Sequence, residues 1–114
     1  MDELVARVAD ATGLDPATAR KAVTIIIQFL ANNADSGKVA SLAAALPGSQ
    51  PIIAGAADGP SDIMGAFGAL TAAGLDMGQV QAAATAFGEV ARERVGPETF
   101  DAMVASVPGL SQFV

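Results

Sequence analysis

The sequence predicts an all-α fold, a compact bundle of about six helices built from two tandem three-helix repeats. Three observations carry this prediction. Alanine fills 26 of the 114 positions, while Trp and Tyr are absent; alanine has the highest helix propensity and lets helices approach closely. Apolar residues recur at helical spacing, as in Val23, Ile26, Ile27 and Leu30 at i, i+3, i+4 and i+7. Helix punctuation also occurs twice in one order. Shifting the chain by 61 positions aligns residues 11–53 with 72–114 without a gap, and nine of the 43 positions are identical. Among them are Gly13-Leu14-Asp15 with Gly74-Leu75-Asp76, and Pro47-Gly48 with Pro108-Gly109. The match predicts an internal duplication; similar capping rules applied twice would leave a similar trace.

The opening helix is expected over residues 2–11. Gly13 takes the left-handed conformation that ends it, Leu14 folds back on an apolar face, and Asp15 caps the next helix, with Pro16 at its first position. That second helix runs to about residue 33. Ile25 and Phe29 widen its apolar arc and leave a narrow polar line of Lys21, Thr24, Gln28 and Asn32. It is therefore expected to be central in the fold or partly covered by a second subunit. A third helix, residues 38–46, is capped by Asp35 or Ser36 and ended by Pro47, and Ile52-Ile53 read as a short tail clipped to the core. Residues 48–62, rich in Gly, Pro and Asp, read as a linker.

The second half repeats the plan. A helix is expected over 62–73, where Gly65 with Ala69 and Gly68 with Ala72 form small pairs suited to a close helix crossing. Gly74 and Asp76 again stop and start a helix, which runs from 77 to about 94; it is more amphipathic than its counterpart and expected to be less buried. Pro97 opens the last helix, 98–107, Pro108 ends it, and Phe113-Val114 form a second clipped tail. Residues 1–114 suit one domain, with repeat 1 over about 1–53, the linker over about 48–62 and repeat 2 over about 62–114.

Composition narrows the function. Twelve acidic and six basic residues leave a net charge of -6, and no basic run exceeds two, which disfavours nucleic acid and anionic membranes as partners. The longest apolar run, residues 63–75, has 13 residues, against about 20 for a membrane span. The start of the chain lacks the basic segment and apolar run of a secretory signal, so a cytoplasmic location is expected. No cysteine is present, which leaves the redox compartment open.

Without His or Cys there is no imidazole base, no nucleophilic triad and none of the usual zinc ligand sets, and nothing calls for a cofactor. Carboxylate chemistry is the enzyme option that remains. Glu89 and Glu93 stand one helical turn apart, as a hard metal would require, but Arg92 and Arg94 are near enough to pair with them. The stretch DGPSD, residues 58–62, lacks the alternating ligands of an EF-hand and reads as a turn before the Asp62 cap.

The order helix, GLD, helix, short helix ending LPG, Gly/Ala-rich linker, second GLD and closing PGL resembles small bacterial helical domains of unknown function, the VcgC/VcgE-like group. The resemblance extends roughly from Leu4 to Leu110 and implies an all-helical protein with no assigned activity and no functional residues to carry over.

The leading expectation is a non-enzymatic helical protein that acts through protein contacts, as a homo-oligomer or a partner-binding module, because the helix around Val23–Leu30 is over-hydrophobic and no catalytic set is present. The alternative is a carrier of a small apolar ligand or lipid, with a pocket lined by Ile26, Phe29, Phe67, Leu70 and Phe87. More remote is a carboxylate or metal-dependent enzyme using Glu89, Glu93 or Asp101.

Overall fold

A computed structural model describes residues 2–34 and 36–107, and every regular element among them is helical. In chain order these are α1 (Asp2–Thr12), α2 (Pro16–Asn33), α3 (Ser36–Ala45), α4 (Gln50–Ala54), a single 3-10 turn (Ala56–Asp58), α5 (Ile63–Ala72), α6 (Met77–Val95) and α7 (Pro97–Ala105). The described residues thus hold seven α-helices where the punctuation predicts about six. The extra one, α4, and the 3-10 turn occupy the segment expected to be a linker. Pro51 starts α4 without needing an amide partner. Side chains of α2 then receive the carbonyls: Gln28 donates to Ile52 and Gly55, and Asn32 donates to Ala56 at 2.6 Å and Pro60 at 3.0 Å. Ile52 and Ile53 do pack against the core, as part of this helix and not as a loose tail.

The stop-and-start turns form as the local chemistry predicts. Gly13 and Gly74 have φ of +74° and +108°, a region that favours glycine. Leu75 is buried and Leu14 packs on the core edge. Asp62 and Asp76 cap α5 and α6 with their carboxylates. Asp15 holds the extended cap backbone, but its carboxylate makes no cap hydrogen bond to a helix amide. The two aspartates are therefore equivalent in position and unequal in bonding. Gln79 occupies the third position of α6 and completes a reciprocal capping box with Asp76, whereas Thr18 stands at that position in α2. Ser36 is the first residue of α3, while Asp35, Pro108 and Phe113-Val114 lie outside the described residues.

Packing centres on both long helices. α1 lies antiparallel on α6: Thr12 at its end meets Gln79 near the start of α6, and Arg7 meets Glu89 and Glu93. α5 lies antiparallel on α2, with the Pro60 carbonyl near Asn32 and Ala73 near Ile25. Leu4, Val8, Val23, Ile27, Leu42, Phe87, Val90 and Met103 are fully buried between these layers. The Cα radius of gyration is 12.4 Å, at the compact end for this length, for which about 13 Å is typical.

One expectation is corrected by this packing and another is not. α6 is the more exposed of the two long helices, with eight exposed residues against five in α2, even though Val80, Ala83, Ala86, Phe87, Gly88, Val90 and Ala91 are all enclosed. Its run of small residues lets α1 approach one side while α7 covers another, so the polar residues that suggested an exposed face occupy only the remaining edge. The glycines of α5 do not mark a helix crossing. Gly68 and Ala72 are exposed, with open space where a Gly68 Cβ would lie, and a Cβ on Gly65 would meet the capping Asp62 carboxylate at 2.9 Å.

Candidate functional site

An apolar cleft lies between α2, α5, α6 and α7. The four helices supply it at helical spacing: Ile26, Phe29 and Leu30 from α2; Ile63, Ala66, Phe67 and Leu70 from α5; Val80, Gln81, Ala84 and Phe87 from α6; and Phe100 from α7. All five residues expected to line a pocket, Ile26, Phe29, Phe67, Leu70 and Phe87, are brought together here. They divide by depth. Phe29, Leu70 and Phe87 are 4%, 5% and 2% exposed and form the floor with the core, whereas Ile26, Phe67 and Ile63 are half-buried at the mouth.

Sequence reasoning missed the remaining residues, though most were legible. Ile63, Ala66, Phe67 and Leu70 form an i, i+3, i+4, i+7 set, and Val80, Ala84 and Phe87 a matching stripe. Phe100 belongs to a similar set, with Met103, Val104 and Val107, but that spacing does not say which surface its ring meets. It is placed by the fold, and Arg92 stacks over its ring at 5.4 Å while bonding Asp101 at 2.7 Å.

The chemistry of the cleft is uniform. No charged residue lines it, and Gln81, exposed at the rim, is its single polar side chain. Its volume is about 60 Å³, room for an aliphatic side chain but far below the roughly 300–1,000 Å³ of small-molecule pockets. Apart from Gln81, no side chain of this lining can donate a hydrogen bond, and none of the lining side chains titrates.

The carboxylates of Glu89 and Glu93 are engaged by an arginine. Arg7 bonds Glu93 at 3.3 Å and Glu89 at 3.6 Å, and Arg94 pairs with Glu3. The partner of the two glutamates is therefore Arg7 of α1, not the nearby Arg92 and Arg94 of their own helix. Among the described residues no group of three or more acidic side chains is placed to hold a metal ion. Two shallow depressions, one beside Lys21 and Thr24 and one beside Val5 and Pro16, share Arg20 at their edges.

The described residues define an all-helical protein with an apolar cleft between α2, α5, α6 and α7, and none of its helices there is long and apolar enough to cross a membrane. No family model matches the chain, and no curated protein or solved structure is significantly similar to it.

Proposed function

We propose that this chain is a non-enzymatic helical protein that acts through protein contacts, by self-association or by binding a partner, with the α2/α5/α6/α7 cleft as its contact surface. The observation that carries this reading is an uncharged, wholly apolar cleft that opens to the surface at Ile26, Ile63 and Phe67. Its size suits an inserted side chain, the way an anchor residue is received at an interface. Met64, next to Ile63 in sequence, and Met77, one turn before Gln81, are large apolar side chains left 75% and 61% exposed. Methionine adapts to varied partners because its side chain is unbranched and polarizable.

Ala84→Glu tests the reading, since it places a charge in the cleft from a half-buried position. Light scattering and affinity capture from the native host should show association by the natural chain and its loss in Ala84→Glu. A strict monomer that captures nothing would sink the proposal. Association unchanged by Ala84→Glu would remove the cleft as its site.

A second reading, a carrier of a small apolar ligand, is favoured by the convergence of all five expected lining residues on one cleft. A lipid chain would require that cleft to widen several-fold. Native mass spectrometry of protein from its own host separates the readings, because a carrier retains a bound mass.

The crosswise arrangement, with the opening helix of each half lying on the long helix of the other, supports a duplicated ancestry within one chain. A cytoplasmic site of action and kinship with the VcgC/VcgE-like group fit the same picture and assign no residue a role.

A further inference from the structure

We propose that the partner received by the cleft is a second copy of this chain, docked about a twofold axis at Gln81 so that each copy inserts Met77 beside Ala84 of the other. This pairing rests on the cleft being the contact surface and gives that surface its occupant.

Charge selects the second copy. The chain carries a net charge of -6, so two copies repel where ordinary surface meets. α5 and the first half of α6, which wall the cleft, avoid this repulsion. Residues 59–88 hold two charged side chains, Asp62 and Asp76, and both cap helices by accepting from the amides of Gly65 and Gln79. A partner of opposite charge would be drawn instead to the exposed carboxylates, such as Asp10 of α1 and Glu98 of α7.

The spacing along α6 supplies the fit. Met77 shares a face with Val80, Gln81 and Ala84 at i, i+3, i+4 and i+7, and it is 61% exposed. The α6 wall of the cleft is centred between Val80 and Phe87, about 10 Å further along the helix, so Met77 is too distant to fill the cleft of its own copy. A copy turned about Gln81 brings it there. Laid antiparallel, the two helices set residue 81 against 81 and residue 77 level with 85, next to Ala84 in the lining. The cleft volume of about 60 Å³ suits one unbranched, adaptable side chain. Each copy then offers one knob and one hole, the self-complementarity that a twofold contact requires. No carboxylate of α6 is set against another in this register: Asp76 falls level with Ala86, and Glu89 lies beyond the start of the second copy's α6. Gln81, the single polar side chain of the lining, suits the axis, because an amide both donates and accepts and two of them satisfy each other. Half a helix and its borders make an interface at the small end of the range, so the dimer depends on concentration.

Sedimentation equilibrium of the full chain from about 10 μM to about 1 mM should show a monomer–dimer equilibrium. Met77→Glu should weaken it at least about tenfold, by placing a charge in the apolar cleft. A charge swap on the axis is the sharper measurement. Because Gln81 faces its own mate, Gln81→Glu alone and Gln81→Lys alone should each weaken the dimer about tenfold, whereas an equal mixture of the two should form a heterodimer at least as tight as the natural dimer. Both positions are exposed, so these variants keep the fold. A chain that stays monomeric throughout this range, or a mixture no tighter than its components, would overturn the proposal. The two readings fail separately. A monomer whose capture of a host partner is lost in Ala84→Glu rejects the second copy and keeps the contact surface. Association that Ala84→Glu leaves unchanged rejects the contact surface, and the pairing with it.

Discussion

Asp76 and Gln79 hold each other reciprocally: the Gln79 amide donates to the Asp76 carboxylate at 2.8 Å, and the Asp76 amide donates to the Gln79 side chain at 3.0 Å. The same Gln79 side chain donates to the Thr12 carbonyl at 3.3 Å, so the second GLD turn is tied to the first. Asp76→Ala should therefore cost about 1 kcal/mol of stability, the usual value of a lost cap, read as a lower urea midpoint. Asp15→Ala, which breaks no cap hydrogen bond, should cost less. Equal losses would contradict the unequal bonding of the two turns.

Asp15 carries the second prediction. The Thr18 side chain comes first in holding its carboxyl below the usual aspartate value; the Asp15 and Thr18 amides, near enough to attract the carboxylate though not placed as cap hydrogen bonds, and Lys21 add to it, against the opposing desolvation. A carboxyl depressed in the folded state lends stability above its unfolded value, and that stability is lost as pH falls through the folded value. Its contribution should thus be constant near neutrality and fade only below about pH 4. Carbon-13 NMR titration should find the Asp15 midpoint low in the natural chain and higher in Thr18→Ala. A midpoint indifferent to Thr18 would remove the assigned cause.

Two glycines should respond oppositely to the same substitution. A Cβ on Gly59 would lie 2.6 Å from the Gln28 Cβ, so Gly59→Ala must shift either the loop that carries it or α2. A cost of about 1–3 kcal/mol is expected, as for other overpacked sites. Gly68 lies inside α5 with nothing within 4 Å of the added methyl. Gly68→Ala should stabilise by roughly 0.5–1 kcal/mol through helix propensity and a less free unfolded chain. Thermal unfolding of the two variants side by side decides the matter, and losses in both would show that α5 is packed more tightly than its exposure implies.

Arg7 joins α1 to α6 through Glu89 and Glu93, yet its side chain is 37% exposed and its partners more so. Solvent screening keeps such pairs small, and Arg7→Ala should cost under about 1 kcal/mol. The difference from the natural chain should shrink further in 1 M salt, where charges are screened over about 3 Å. A large loss that salt leaves unchanged would mean that the arginine acts through packing of its methylene stem.

What was legible in the sequence was local. Gly13, Asp15 and Pro16, and again Gly74 and Asp76, mark where helices stop and start because their backbone and capping preferences depend on neighbours a few residues away. The apolar spacing of Ile26, Phe29, Phe67, Leu70 and Phe87 marked the faces that would meet, which is why those five converge on one cleft. Tertiary structure decided what local rules do not contain. Residues 50–58 become helical because Gln28 and Asn32, more than twenty residues away, accept the task of bonding their carbonyls. Arg7, not its sequence neighbours, reaches Glu89 and Glu93 because α1 crosses to the long helix of the other half. Phe100 enters the cleft for the same kind of reason. Its own helix could bury that ring against several surfaces, and only the assembled bundle selects one.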